Sequence, residues 1–269
     1  MTEKIVILAA GLGTRMRRDD GAAALREDQA AIADTGVKGL IPIDRPFLDY
    51  VLTAAADAGY RRVCLVIGPG HDQLRRRYAG LSGGRLAFEF AIQRKPRGTA
   101  DALACAADFA GEDAVAVINS DNFYPTSALE SLRRLDGTGL VAFSLNALIR
   151  HGNIEADRAT RFAVVQRDSA GYLKRIIEKP TPAEIASLGD DPLVSMNCWR
   201  FEPPIFQACR SIAPSLRGEY EIADAVSHSM SHRLLRYRVV TSQETVLDLS
   251  FRRDVGPVTE KLGAMEVRL

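Results

Sequence analysis

The stretch Lys4 to Met16, KIVILAAGLGTRM, decides how the rest of the chain is read. After Lys4, Ile5 to Ala9 form an apolar run rich in Ile and Val, of strand length with no polar face, the pattern of a strand covered on both sides. Gly11 and Gly13 follow at once. Two glycines two apart let the backbone turn sharply and present N–H groups to an anion. Arg15 adds a planar charged fork suited to phosphate. The spacing is not that of a P-loop, because no Gly-Lys-Ser/Thr follows. It is not the dinucleotide fingerprint either, whose third glycine would fall on Met16.

Working outward, the same rhythm repeats. Apolar runs at 63–67, 86–92, 114–119 and 140–145 predict strands, and 3.6-residue patterns at 47–58, 72–78, 99–109 and 127–135 predict helices. Strands alternating with helices imply βαβ units and a doubly wound, mostly parallel, Rossmann-like α/β sheet, with ligands beyond the carboxyl ends of its strands. After about residue 146 the rhythm changes. Segments 161–166 and 172–178 read as an antiparallel pair, followed by a strand at 194–201, helices at 204–211 and 220–230, a strand at 234–241 and a closing helix at 254–265. No repeat or long linker divides the chain, so residues 1–269 read as one domain with halves at about 1–146 and 147–269, the second carrying a smaller antiparallel lid. The segment Arg17 to Gly36, which contains Asp19 and Asp20, is long for a connection and is expected to be a partly helical, mobile loop.

Composition excludes several classes. The 269 residues carry 35 Lys+Arg against 34 Asp+Glu, with 46% hydrophobic and 26% charged residues, which rules out a disordered, collagenous or coiled-coil chain. The formal charge of +1 argues against nucleic acid or a membrane surface as partner. No apolar run approaches a membrane span, and the N-terminus lacks signal-peptide features, so a cytoplasmic location is expected. Cys64, Cys105, Cys198 and Cys209 are far apart without a C-x-x-C spacing, and buried thiols in a reducing compartment are expected. Only six lysines stand against 29 arginines, which makes the position of each lysine informative.

An ordered set of motifs now resembles the sugar-1-phosphate nucleotidyltransferases, the NDP-sugar pyrophosphorylases. LAAGLGTRM at 8–16 is similar to their signature, and VKGLIPI at 37–43 to their P-K-x-L-x-P-I. QRKPRGTADA at 93–102 resembles Q-x-x-x-x-G-T-A-x-A, and Asn119-Ser-Asp121 a strand-end G-D. Glu178-Lys179-Pro180 matches E-K-P, and Ser195-Met-Asn197 resembles N-x-G-x-Y. Glu219 to Asp224 is similar to E-x-E-I-T-D, and Val246-Leu-Asp248 stands where W-x-D is usual, without the following G-T.

The resemblance implies a nucleotidyltransferase fold and a reaction in which a sugar-1-phosphate oxygen attacks the α-phosphorus of a nucleoside triphosphate and expels pyrophosphate. Catalysis of that kind is charge neutralisation and positioning. Gly11 and Gly13 would cradle the nucleotide phosphates, with Leu8 and Ala10 beside them, and Arg15 and Lys38 would neutralise the phosphates. Gln93 would read the base edge, and Gly98 with Thr99 would line the base pocket. Asp121, with Asp248 as second ligand and Asp254 as the nearby alternative, would hold Mg²⁺. Lys179 would hold the sugar phosphate, while Asn122, Glu178, Asn197 and Glu219 would bond the sugar. Cys198 and Trp199, in place of the usual small residues, would reshape the sugar pocket.

Gln93 favours UTP or dTTP, since a pyrimidine imide presents one donor between two acceptors; GTADA leaves ATP open. The partners are then small molecules, with room for a homo-oligomer. Two other readings stay open: a cytidylyltransferase for a non-sugar phosphate, and a catalytically degenerate domain that binds nucleotide or sugar phosphate as a regulator.

Overall fold

The computed structural model describes residues 1–18, 23–81 and 83–269. Its strands are β1 (Lys4–Ala9), β2 (Arg62–Ile67), β3 (Ala87–Ile92), β4 (Val115–Asn119), β5 (Asn122–Phe123), β6 (Thr138–Ser144), β7 (Ala163–Arg167), β8 (Leu173–Ile177), β9 (Leu193–Phe201), β10 (Tyr237–Ser242) and β11 (Leu247–Asp248). The main sheet runs β10-β6-β9-β4-β1-β2-β3. β1 pairs in parallel with β2 and β4, β2 with β3, and β6 with β10. β9 lies antiparallel between β4 and β6, so the sheet is mixed although mostly parallel. The expected hairpin is present: β7 pairs with β8, and β7 also with β9, which joins the lid to the main sheet. Because β9 and β10 come from the second half of the chain and lie in the same sheet as β1, the two halves share one framework.

The absence of a polar face in β1 has its cause in two cores. Ile5 and Ile7 pack on one side, with the helices Phe47–Asp57, Thr126–Arg134 and Val255–Leu262. Val6 and Leu8 pack on the other, with Thr99–Ala104, Pro204–Ser211 and Ile222–Ser231. Alternate residues of a strand face opposite sides, so covering both sides requires apolar residues at every position.

Several boundaries differ from the sequence reading. The helix expected over 99–109 breaks at Cys105 and Ala106 into Thr99–Ala104 and Ala107–Ala110. The closing helix begins at Val255, after a 3-10 turn at Arg252–Asp254. A helix at Leu145–His151, not expected, starts where the Ser144 hydroxyl accepts the Ala147 N–H at 3.0 Å. In the 17–36 segment, Glu27–Thr35 is a helix tied down by Gln29 Nε2 to the Pro42 carbonyl at 2.9 Å and by Arg252 to Asp34 at 2.5 Å. The expectation for Asp19 and Asp20 lies outside the described residues. Cys64, Cys198 and Cys209 are buried free thiols, as expected, but Cys105 is exposed. Among the described residues no helix is long and apolar enough to cross a membrane.

Trp199 and Cys198 correct the expectation that they shape the sugar pocket. Both are fully buried, on opposite faces of the sheet. Trp199 stacks on Phe201 at 5.4 Å and meets Tyr237 edge-on at 6.0 Å. They are core residues because β9 lies in the interior of the sheet. Trp199→Ala is therefore expected to lower the unfolding free energy by about 3–5 kcal/mol in urea titrations.

Candidate active site

Loops at the carboxyl ends of β1, β3 and β4 converge with the segment Glu219–Glu221 on a cavity of about 370 Å³. Its wall includes Leu8, Ala10, Gly11, Gln93, Gly98, Thr99, Asp121 and Glu219, all expected at the site, together with Thr14, Asn119 and Glu221. Lys38 joins Gly11 and Asp121 around an adjoining pocket of about 60 Å³.

The two signature glycines do different work. Gly13 is left-handed, at φ +60°, and a side chain there would run into the backbone of Gly36. Gly11 has an ordinary φ, and a side chain would meet nothing within 4 Å. Only Gly13 supplies the turn; Gly11 leaves open space before the cavity. Met16 is buried, and Arg15 projects from the short helix Thr14–Arg17 over the ring of Phe251, 5.7 Å from its centroid.

Gln93, after β3, is 4% exposed. Its Nε2 donates to the Gly98 carbonyl at 3.0 Å and to Asp101 Oδ2 at 2.9 Å, and Asp101 is held by Arg97 at 2.6 Å. Both neighbours are acceptors, so the amide has one orientation and Oε1 is left to accept. Gly98 has φ +109°, and a Cβ there would lie 2.5 Å from the Tyr220 carbonyl oxygen. Around that contact Tyr220 N donates to Arg97 O at 2.7 Å, Ala100 N to Tyr220 O at 2.8 Å, and Ile222 N to Thr99 Oγ1 at 3.0 Å. The 97–100 loop and the 219–222 segment are thereby joined.

Asp121 follows β4 and forms an ion pair with Lys38. Asn122 is buried, with its Oδ1 accepting from Asn119 Nδ2 at 3.1 Å and its Nδ2 donating to Asp248 Oδ1 at 2.8 Å. This corrects its expected place on the sugar: its amide links the β4 end to β11. Asp248 is buried as well, and its Oδ2 meets Arg158. Burial and the charge of Asp121 raise the Asp248 carboxyl above its ordinary range. Asp254 pairs with Arg158 at 2.9 Å and spends Oδ2 on the backbone N–H groups of Ser250 and Phe251. Asp121 and the buried Asp248 offer hard carboxylate oxygens of the kind a divalent cation takes. Among the described residues no third His, Cys, Asp or Glu completes a cage. Asp121 and Asp248 would supply two of the oxygen ligands to a cation such as Mg²⁺.

Two other expected residues have unusual backbones. Lys179 at φ +48° and Asn197 at φ +55° are non-glycine residues in the left-handed region, where strain gathers at functional sites. Asn197 Oδ1 accepts the Trp199 indole N–H at 3.2 Å, so part of its amide is spent on the core. Glu178, Lys179 and Asn197 lie outside the 370 Å³ cavity wall. Desolvation raises the Glu178 carboxyl. Glu221, not assigned from sequence, pairs with Arg217 at 2.5 Å and is pushed up to about 7 by burial and by Glu178. Arg158 and Arg217 were also missed. Arg217 stands directly before Gly218-Glu219, a position that could have drawn attention, whereas nothing in the local sequence marks Arg158 as buried.

Residues 31–264 match the profile of the family described as nucleotidyl transferase. The chain is 28% identical over 82% of its length to the UTP–glucose-1-phosphate uridylyltransferase AglF of Haloferax volcanii, covering 81% of that protein. It is 26% identical to the low-salt glycan biosynthesis nucleotidyltransferase Agl11 of the same organism, over 83% of this chain and 56% of that one. With the glucose-1-phosphate thymidylyltransferase of Streptomyces griseus it shares 28% identity over 96% of this chain and 64% of that one. The chain thus spans less than two thirds of the length of two of these three relatives. A UDP-glucose pyrophosphorylase crystallised with UDP-glucose superposes with a TM-score of 0.74 at 18% identity, over 99% of this chain and all of the other, a likeness of fold.

The raised Glu221 carboxyl has a consequence for stability. The folded chain holds this proton more tightly than the unfolded one, whose glutamate titrates near 4.5, so stability falls as pH rises from about 4.5 to about 7. Glu221→Gln removes that dependence. Urea unfolding at pH 5 and pH 8 is expected to show the variant gaining on the parent by about 1–3 kcal/mol at the higher pH.

Proposed function

Because the chain belongs to the nucleotidyl transferase family, we propose that it joins a sugar-1-phosphate to UTP or dTTP, releasing pyrophosphate. A phosphate oxygen of the sugar-1-phosphate forms a bond to the α-phosphorus as the bond from that phosphorus to the pyrophosphate oxygen breaks. The attacking oxygen is already ionised, so the chain needs no nucleophile or general base of its own.

The observation that carries the base assignment is the fixed amide of Gln93. With Nε2 bound to Gly98 and Asp101, Oε1 accepts a hydrogen bond from the base, as the imide N3–H of uracil or thymine donates one. Cytosine offers an acceptor at that atom, which weighs against the cytidylyltransferase reading. The names of the uridylyltransferase and thymidylyltransferase relatives support the same choice of base.

Gly11 admits the phosphates close to the backbone, and Arg15 and Lys38 supply positive charge. On entry of the triphosphate, Lys38 exchanges part of its contact with Asp121 for phosphate oxygens. Asp121 and Asp248 would hold Mg²⁺, which when bound supplies charge neutralisation at the phosphates. Arg158 and Asn122 keep Asp248 oriented for this. Lys179 takes the sugar phosphate, and Glu178, Asn197 and Glu219 take the sugar hydroxyls.

Pyrophosphate release, measured with each of five nucleoside triphosphates against a panel of sugar-1-phosphates, is expected with UTP or dTTP. Turnover with CTP above both would overturn the base assignment, and nucleotide binding without turnover on any pair would favour the regulatory reading. Asp121→Ala is expected to lower kcat/KM by at least about 100-fold while thermal unfolding still shows a cooperative fold. Lys179→Ala is expected to raise KM for the sugar-1-phosphate more than for the nucleotide; an equal rise in both would count against its role.

A further inference from the structure

Four guanidinium groups surround one aromatic ring in this protein. Arg253 lies 5.0 Å from the Phe251 centroid, Arg158 5.1 Å, Arg161 5.3 Å and Arg15 5.7 Å. Two of the four are balanced by carboxylates: Arg158 by Asp248 and Asp254, and Arg253 by Glu155 at 2.9 Å. Arg15 and Arg161 are exposed and, among the described residues, make no ion pair and no hydrogen bond. Two uncompensated cations gathered on one ring repel each other, and a polyanion between them would remove that cost.

Their placement identifies the polyanion. Arg15 leaves the loop after β1, directly beyond Gly11 and Gly13. Arg161 ends the 3-10 helix Ala156–Arg161, which Arg158 anchors to Asp248. Asn153 strengthens the anchor, with Nδ2 donating to the Asp248 carbonyl at 2.7 Å and Oδ1 accepting the Asp248 N–H at 2.9 Å. Asp248 in turn pairs with Asn122, next to Asp121. The backbone that carries the ring is fixed, since the Phe251 N–H donates to Asp254 Oδ2 at 2.8 Å. Phe251 directly follows the 246–250 segment, which departs from the W-x-D pattern and its following G-T.

Resting on the reaction proposed above, we infer that Arg161 is a second polyphosphate-binding residue beside Arg15. Phe251 is the platform that aims both guanidinium groups at the β and γ phosphates of the nucleotide, and at the pyrophosphate formed from them. Arg161 acts by direct charge-assisted hydrogen bonds, whereas Phe251 is a positioning residue.

Titration calorimetry with inorganic pyrophosphate tests this on the intact chain without requiring turnover. Arg161→Gln is expected to weaken pyrophosphate binding about tenfold, the loss of one charge-assisted contact. Arg161→Lys, which keeps charge but not the fork, falls between it and the parent. Phe251→Leu is expected to weaken pyrophosphate by several-fold, roughly half the logarithmic effect of Arg161→Gln, with a cooperative thermal transition retained. In steady-state pyrophosphorolysis the KM for pyrophosphate rises in parallel, while in the forward direction the KM for sugar-1-phosphate stays within about twofold. Parent-like pyrophosphate affinity in Arg161→Gln, or an equal loss of sugar-1-phosphate and pyrophosphate, would overturn the assignment. No detectable pyrophosphate binding by the parent would do the same. Pyrophosphate binding that behaves as expected in a chain without turnover would sink the transferase reading and leave the clamp standing.

Discussion

Arg158 is a buried guanidinium, 2% exposed, that meets Asp248 through one nitrogen and Asp254 through another while its face lies near Phe251. Taking such a charge out of water is costly, and removing one partner of a buried pair typically costs about 3–5 kcal/mol, because the remaining charge is left uncompensated. The site depends on this interaction. It joins the 3-10 helix Ala156–Arg161 to β11, and β11 pairs with β5, the strand immediately after Asp121. Segments more than a hundred residues apart are thereby held around one acidic centre.

The same bonds set the electrostatics of that centre. Asp121 and Asp248 raise the local negative charge, and each is answered by one cation of the chain, Lys38 or Arg158. The two cations are not equivalent. Lys38 carries a flexible ammonium with a side chain 19% exposed, so it can be redirected to an incoming phosphate. Arg158 is held by two carboxylates and can only orient them. A site that neutralises its acids with one movable and one fixed cation can receive a polyanion without exposing an unpaired buried charge.

The opposite wall is controlled by close approach of backbones. Gly98 against Tyr220 and Gly13 against Gly36 are contacts that a Cβ would prevent. The first lets the 97–100 loop exchange hydrogen bonds with the segment carrying Glu219 and Glu221. The second seats the signature loop on the end of the 17–36 segment, whose helix is fixed by Arg252 through Asp34 and by Gln29 through Pro42. The described part of that segment therefore supports the signature loop.

Much of this was legible in sequence. Continuous apolar runs announce strands covered on both faces, because period-two alternation disappears when both sides are buried; β1 and β2 could be placed that way. Gly11, Gln93, Gly98, Thr99, Asp121 and Glu219 could be gathered as one site because the resemblance to the nucleotidyltransferase motifs named them, and the fold brings them around one cavity. The sequence alone could not show that β9 runs antiparallel in the interior, which takes Trp199 and Cys198 out of the pocket and into the cores. Nor could it show that Asn122 spends its amide on Asp248, that Asp254 caps a turn, or that Arg158 and Phe251 organise the acidic centre. Local order and residue chemistry belong to the sequence, since propensity and pattern act over a few residues. Which polar groups meet across a hundred residues was decided only by tertiary structure, because burial forces each of them to find a partner wherever the fold has brought one.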